Sequence, residues 1–143
     1  MTSVDPITCH ILDTTVGKPA DDVLCQISYL GAIQNPDTVE IENDIKPFAR
    51  AKTDKDGRIK QWTTDPYSDL KALGIDSNKN WNELKSGIYK IKFYTGSYFK
   101  RIGSPSTFFP FVEITFQIEN PPDNHYHVPL LLSNHSYTTY RGS

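Results

Sequence analysis

The amino-acid sequence predicts an all-β fold, an antiparallel sandwich of seven or eight strands in Greek-key style with one short helix. Three observations predict it. Short runs rich in Ile, Val, Tyr, Phe and Thr alternate between apolar and polar with a period of two. Gly, Pro, Asn and Asp punctuate those runs at regular intervals. Only two short stretches, residues 66–86 and 95–103, break the strand pattern, so no series of helices exists to cross over between parallel strands.

The elements follow in order. Residues 7–13 (ITCHILD) are a first strand, closed by the turn residues 14–19 (TTVGKP), and residues 22–30 are a second. Residues 48–53 and 58–63 flank Asp54-Lys55-Asp56-Gly57, whose Asp-Gly pair predicts a hairpin turn. Residues 87–94, 111–118, 125–132 and 137–140 supply the remaining strands. In residues 95–103, Tyr98, Phe99 and Ile102 fall at helical spacing and Gly103 stands where a helix stops. Residues 66–86 carry Leu70, Leu73, Trp81 and Leu84 among charged residues and read as a short helix with a loop. Residues 33–47 read as an expanded surface loop, and Pro121-Pro122-Asp123-Asn124 as a turn. There is no internal repeat and no linker, so residues 1–143 read as a single domain.

Composition narrows the function. Fifteen basic and seventeen acidic residues are interspersed and leave a formal net charge of −2. That balance offers no basic stripe for nucleic acid and no acidic tail. No run approaches the roughly 18–20 apolar residues of a membrane span. The opening residues MTSVDPITCH lack the basic and apolar segments of a secretory leader. Cys9 and Cys25 each sit in an apolar strand and read as buried free thiols, which fits a reducing compartment. The final Arg-Gly-Ser differs from the Ser-Lys-Leu peroxisomal address, so a cytoplasmic setting is expected.

Four places carry chemistry. Strand alternation puts Ile7, Cys9 and Ile11 on one face and Thr8, His10 and Leu12 on the other. An imidazole displayed there is either a plain surface histidine or a proton acceptor near neutral pH. Arg58 follows the Asp-Gly turn, where it is either solvated or a planar cationic fork for carbonyl oxygens and a developing oxyanion. His125 and His127 share a face, which makes either half of a zinc site completed by His10 or a pair of non-ligating histidines. Last, Tyr137-Thr138-Thr139-Tyr140-Arg141-Gly142-Ser143 is either a frayed strand end or a ligand wall built from a ring, a cation and a hydroxyl.

These segments resemble the 5-hydroxyisourate hydrolases of the transthyretin-like family. The resemblance is carried by HILDTTVGKPADDV from His10, by Asp56-Gly57-Arg58, by His127 immediately before VPLLLS, and by the terminal YRGS, Tyr140 to Ser143. The hydrolases of that family end in YRGS, whereas the hormone-carrying transthyretins do not. The similarity spans residues 7–23, 52–58, 87–103 and 111–143. It departs at Asn134-His135, where the family has Pro followed by an aromatic residue or Gly, and at Thr138, where it has Ser. It departs again over residues 66–86, which are longer than usual.

The resemblance implies the transthyretin topology and a homotetramer whose active sites lie in the channel where two dimers meet. It implies hydrolysis of the cyclic amide of 5-hydroxyisourate to 2-oxo-4-hydroxy-4-carboxy-5-ureidoimidazoline, with no cofactor and no metal. His10 and His127 would hold and deprotonate water, Arg58 would stabilise the oxyanion, and the Ser143 hydroxyl would relay a proton. Tyr140 would pack on the substrate ring and Arg141 would orient it. His125 is a neighbour, not an essential group. Two other classes compete: a non-catalytic carrier of a small aromatic ligand, which would not need His10, Arg58 and His127 with YRGS, and a zinc-dependent hydrolase.

Overall fold

The computed structural model describes residues 4–104 and 106–143; the first three, part of the stretch read for a leader, lie outside. Strand alternation places Ile7, Cys9 and Ile11 fully inside, while His10 and Leu12 stay half-buried on the other face. The same logic sends Val128, Leu130 and Leu132 inward and His127 and Leu131 outward. Apolar residues thereby line the inner faces of two sheets, which is the condition for a sandwich.

Ten strands are present among the described residues: β1 (Ile7–Asp13), β2 (Lys18–Pro19), β3 (Leu24–Gly31), β4 (Ala49–Lys52), β5 (Arg58–Ile59), β6 (Thr63–Thr64), β7 (Gly87–Phe93), β8 (Val112–Ile118), β9 (Tyr126–Leu132) and β10 (Tyr137–Thr139). One helix, α1 (Thr95–Arg101), follows β7. One sheet runs β10-β9-β1-β2 with β5 also on β1, and the other runs β6-β4-β3-β7-β8. The count exceeds the expected seven or eight for two reasons. The turn over residues 14–19 contains the short β2. The expected strand over residues 58–63 is split into β5 and β6, which belong to different sheets.

Two expectations about pairing need correction. β1 and β9 are parallel over seven residue pairs, from Ile7 opposite Tyr126 to Asp13 opposite Leu132. They lie more than a hundred residues apart, so the chain has room to cross from the other sheet and re-enter in the same direction. Nor is the Asp54–Gly57 turn a hairpin within one sheet: β4 before it pairs β3, and β5 after it pairs β1. The Asp54 carboxylate accepts the Asp56 and Arg58 amides, each at 2.9 Å. Gly57, at φ +73°, offers its carbonyl to the Ile11 amide at 2.8 Å. A Cβ there would strike the Ile11 carbonyl oxygen, so only glycine lets this corner press against β1.

α1 buries Thr95, Tyr98 and Phe99, whereas Ile102 lies just past it and is 45% exposed. The Tyr98 hydroxyl donates to the buried Asp13 carboxylate at 2.8 Å, tying the helix to the end of β1. Residues 66–86 form only a single 3-10 turn, Lys71–Leu73, yet Leu70, Leu73 and Ile75 join the main core. Trp81 closes the segment by donating to the Leu73 carbonyl at 3.0 Å and meeting Phe48 edge-on at 5.5 Å. Cys9 and Cys25 are buried and unbridged. Among the described residues no helix is long and apolar enough to cross a membrane.

Candidate active site

The site grows from three adjacent strands. On β1, Thr8 and His10 point to the outer face; β5 sets Arg58 opposite His10, and β9 sets His127 opposite Thr8 and Pro129 opposite His10. The corner at Gly57 is what carries Arg58 from the second sheet's turn onto β1. Four residues named from sequence are thereby gathered. The His10 and His127 rings are stacked with centroids 6.2 Å apart and planes 24° from parallel. Arg58, His127 and Ser143 line one cavity of about 190 Å3, together with Thr8, His125 and Lys60.

The chain end is held over His127 by a continuation of the β9–β10 ladder. Tyr137 faces Leu132 and Thr139 faces Leu130, and Gly142 faces His127 in the same register. Pro129 has no amide hydrogen to donate, so regular pairing lapses beside Tyr140 and Arg141. It resumes when the Gly142 amide donates to the His127 carbonyl at 2.9 Å. A Cβ on Gly142 would sit 2.8 Å from Cδ2 of His127 and 3.1 Å from Cγ of Pro129. Glycine is therefore what allows Ser143 to reach the cavity past the imidazole.

Tyr140 and Arg141 are not brought to that cavity. They line a second one of about 210 Å3 at the open edge between the sheets, with Phe116, Gln117 and Thr139, and His127 borders both. Arg141 ion-pairs with Asp123 at 2.8 Å and lies 4.4 Å over the Tyr126 ring. Its neighbour Gly142 faces the outer side of His127, so alternation turns Arg141 the other way. Tyr140 is 57% exposed.

The electrostatics favour neutral imidazoles. Partial burial lowers the pKa of His10 below 6.5, and the Arg58 guanidinium lowers it further, against weaker opposition from Asp54 and Asp56. Burial also lowers His127, reinforced by Arg58, His10 and His125. Two uncharged rings beside a permanent cation can accept a proton from water while the cation receives a developing negative charge. Among the described residues no group of three or more His, Cys, Asp or Glu side chains is placed to hold a metal ion.

Sequence reasoning did not single out Thr8. Its hydroxyl lies 2.7 Å from Nδ1 of His127 and 3.0 Å from Nε2 of His125. The available signal was its position two residues before His10, on the same strand face. Asp123 was seen only as part of a turn.

Comparison with known proteins places this arrangement. Residues 7–142 match the family model described as the HIUase/Transthyretin family. The chain belongs to the HIUase/transthyretin family. A Schizosaccharomyces pombe protein described as "Probable 5-hydroxyisourate hydrolase" is 35% identical over 137 residues, 96% of this chain and 90% of its own. The 5-hydroxyisourate hydrolase of Mus musculus is 36% identical over 142 residues, covering 99% of this chain and 98% of the mouse protein. The solved structure of Klebsiella pneumoniae 5-hydroxyisourate hydrolase aligns with a TM-score of 0.65 at 27% identity, over 96% of this chain and 98% of that one. In this family member, Asn134 replaces the expected Pro, and its side chain donates to Ser104 Oγ at 2.6 Å. Its carbonyl accepts the Phe108 amide at 2.7 Å, so the altered turn is anchored to the loop after α1.

Proposed function

We propose that this protein hydrolyses the cyclic amide of 5-hydroxyisourate, a step of urate degradation, and that residues 1–143 act as one domain. The observation that carries the reading is the stacked His10–His127 pair beside Arg58 at a cavity that also receives Ser143. A carrier of aromatic ligands needs walls but no neutral base next to a fixed cation. The similarity to several 5-hydroxyisourate hydrolases over nearly the whole chain favours the enzyme over the carrier.

In the proposed reaction, a histidine takes a proton from water as the hydroxide adds to the amide carbonyl carbon. The negative charge moves to the carbonyl oxygen, where the Arg58 fork meets it. The carbon–nitrogen bond then breaks, the oxygen returns to a carbonyl, and the ring nitrogen takes a proton from an imidazolium. The product is the carboxylated ureidoimidazoline. His10, His127 and Arg58 are the catalytic residues of this proposal, with the Ser143 hydroxyl relaying a proton at the cavity mouth. Tyr140 presents an exposed ring for the substrate to pack on. Arg141 would orient the substrate only on leaving Asp123, an exchange that an exposed pair permits. No cofactor enters any step. A homotetramer in a cytoplasmic setting completes the proposal.

The test is the ultraviolet decay of 5-hydroxyisourate, generated in place by urate oxidase, with and without the protein. Decay faster than the protein-free blank is expected, persisting with chelator. His127→Ala and Arg58→Ala should each lose on the order of 100-fold or more in kcat while keeping the fold. Wild-type decay equal to the blank would leave the carrier standing instead.

A further inference from the structure

Thr8 presents one hydroxyl to two imidazoles, Nδ1 of His127 at 2.7 Å and Nε2 of His125 at 3.0 Å. A hydroxyl has one proton to donate and lone pairs with which to accept. With both rings neutral, it bonds to both only by donating to one and accepting an N–H from the other. The two histidines therefore play opposite parts at Thr8, and fixing one tautomer fixes its neighbour's.

The surroundings decide the direction. Thr8 is only 5% exposed, so little water competes for its hydroxyl. It is β-branched and stands opposite His127 on the parallel strand, which restricts where its oxygen points. The charged or polar groups facing His127 are Arg58 and Lys60 from the β5 segment, His10 from β1, His125 from the turn just before β9, and Ser143 in the same cavity lining. Most of these are cationic or become so on protonation. A lone pair on Nε2 turned toward them is favoured, and an N–H there is disfavoured. His125 is exposed, so its other nitrogen meets solvent and adapts to either state. No comparable side-chain partner holds a ring nitrogen of His10 among the described residues.

We propose that Thr8 and His125 form an orienting chain that keeps His127 in its Nδ1–H tautomer, with the Nε2 lone pair facing the cavity, and so makes His127 the general base. The His127 Nδ1–H donates to Thr8 Oγ1, and the Thr8 O–H donates to His125 Nε2. Thr8 and His125 are positioning residues that need not touch the substrate. When Nε2 takes the proton of water, the Nδ1–H···Oγ1 bond strengthens because its donor has become cationic. The arrangement generalises the base held by a third group that nucleophilic enzymes use. Its catalytic part rests on the hydrolase reading above; the tautomer itself does not.

Two measurements separate those parts. Nitrogen-15 NMR of the histidine rings, above the ordinary imidazole pKa of 6.5, should show His127 protonated at Nδ1 in the wild type. Thr8→Val should give a tautomer mixture. Decay of 5-hydroxyisourate should then show Thr8→Val lowering kcat on the order of 10- to 100-fold, a loss of the size that follows removal of the group orienting a metal-bound histidine. KM should be unchanged. Thr8→Ser, which keeps the hydroxyl, should restore both tautomer and rate. Nε2–H on His127 in the wild type would overturn the inference, as would a wild-type kcat in folded Thr8→Val. Should Thr8→Val not fold, the wild-type and Thr8→Ser spectra still decide. A wild type that never exceeds the blank would remove the hydrolase reading and leave the tautomer measurement intact.

Discussion

His10 and His127 show how position, rather than residue type, sets the proton affinity of a histidine. Each is lowered from 6.5 first by burial and then by Arg58, so the neutral form persists into mildly acidic solution. The acid limb of kcat/KM is therefore expected below 6.5, and Arg58→Gln should move it up toward that value; a limb already at 6.5 in the wild type would contradict the assignment. The same shifts bear on stability. Between 6.5 and the lower folded values the unfolded chain binds protons that the folded chain does not, so stability rises with pH there. It is fully present above 6.5 and is lost as the pH falls through the folded values. The double variant His10→Phe, His127→Phe should flatten that part of a urea-midpoint-versus-pH curve.

At the scale of elements, two glycines set the site by allowing close approach. Gly57 turns the chain from one sheet to the other while touching Ile11, which brings Arg58 to β1. Gly57→Ala should cost about 1–3 kcal/mol for a side chain forced into left-handed backbone against a carbonyl, read as a lower urea midpoint. Gly142 bears on the proposed catalysis through His127. A methyl group there meets Cδ2 of His127, so Gly142→Ala should lower kcat by up to about 100-fold through a displaced ring. Its melting temperature should stay at the wild-type value, because the segment beyond Thr139 is outside the core. A large fall in melting temperature would instead make Gly142 a folding residue.

Over the whole molecule, the outer face of the site sheet is unusual for bare solvent. Leu12, Leu131 and Thr138 are lateral neighbours on it, beside His10 and His127. If that face is covered in the proposed homotetramer, Leu131→Glu should dissociate the assembly by sedimentation velocity and lower activity with it. A monomeric, fully active wild type would show that each chain's site is complete alone. Residues 66–86 pack Leu70, Leu73 and Trp81 on the core, and Trp81, Asn82 and Leu84 line a cavity that Asp123 and His125 border from the other side. Trp81→Ala should therefore cost about 2–3 kcal/mol of stability, toward the low end for a large aromatic because the ring is only half-buried.

Alternation by itself determined that Ile7, Cys9 and Ile11 face inward and His10 outward, because a strand's side-chain period of two is a local property. The same local rules located most of the strands, α1 and the turn at Asp54–Gly57. The resemblance of the HILDTTVGKPADDV and YRGS segments supplied the family and the candidates His10, Arg58, His127 and Ser143. What strands pair with was decided by the tertiary structure alone, since pairing depends on the path of the chain between strands and not on their composition. Only the fold made β1 and β9 parallel and turned the Asp-Gly corner into a bridge between sheets. Only the fold set Thr8 between two histidines that follow it by more than a hundred residues. It also sent Arg141 to Asp123 rather than to the histidines, because alternation resumed past Pro129 and gave that face to Gly142.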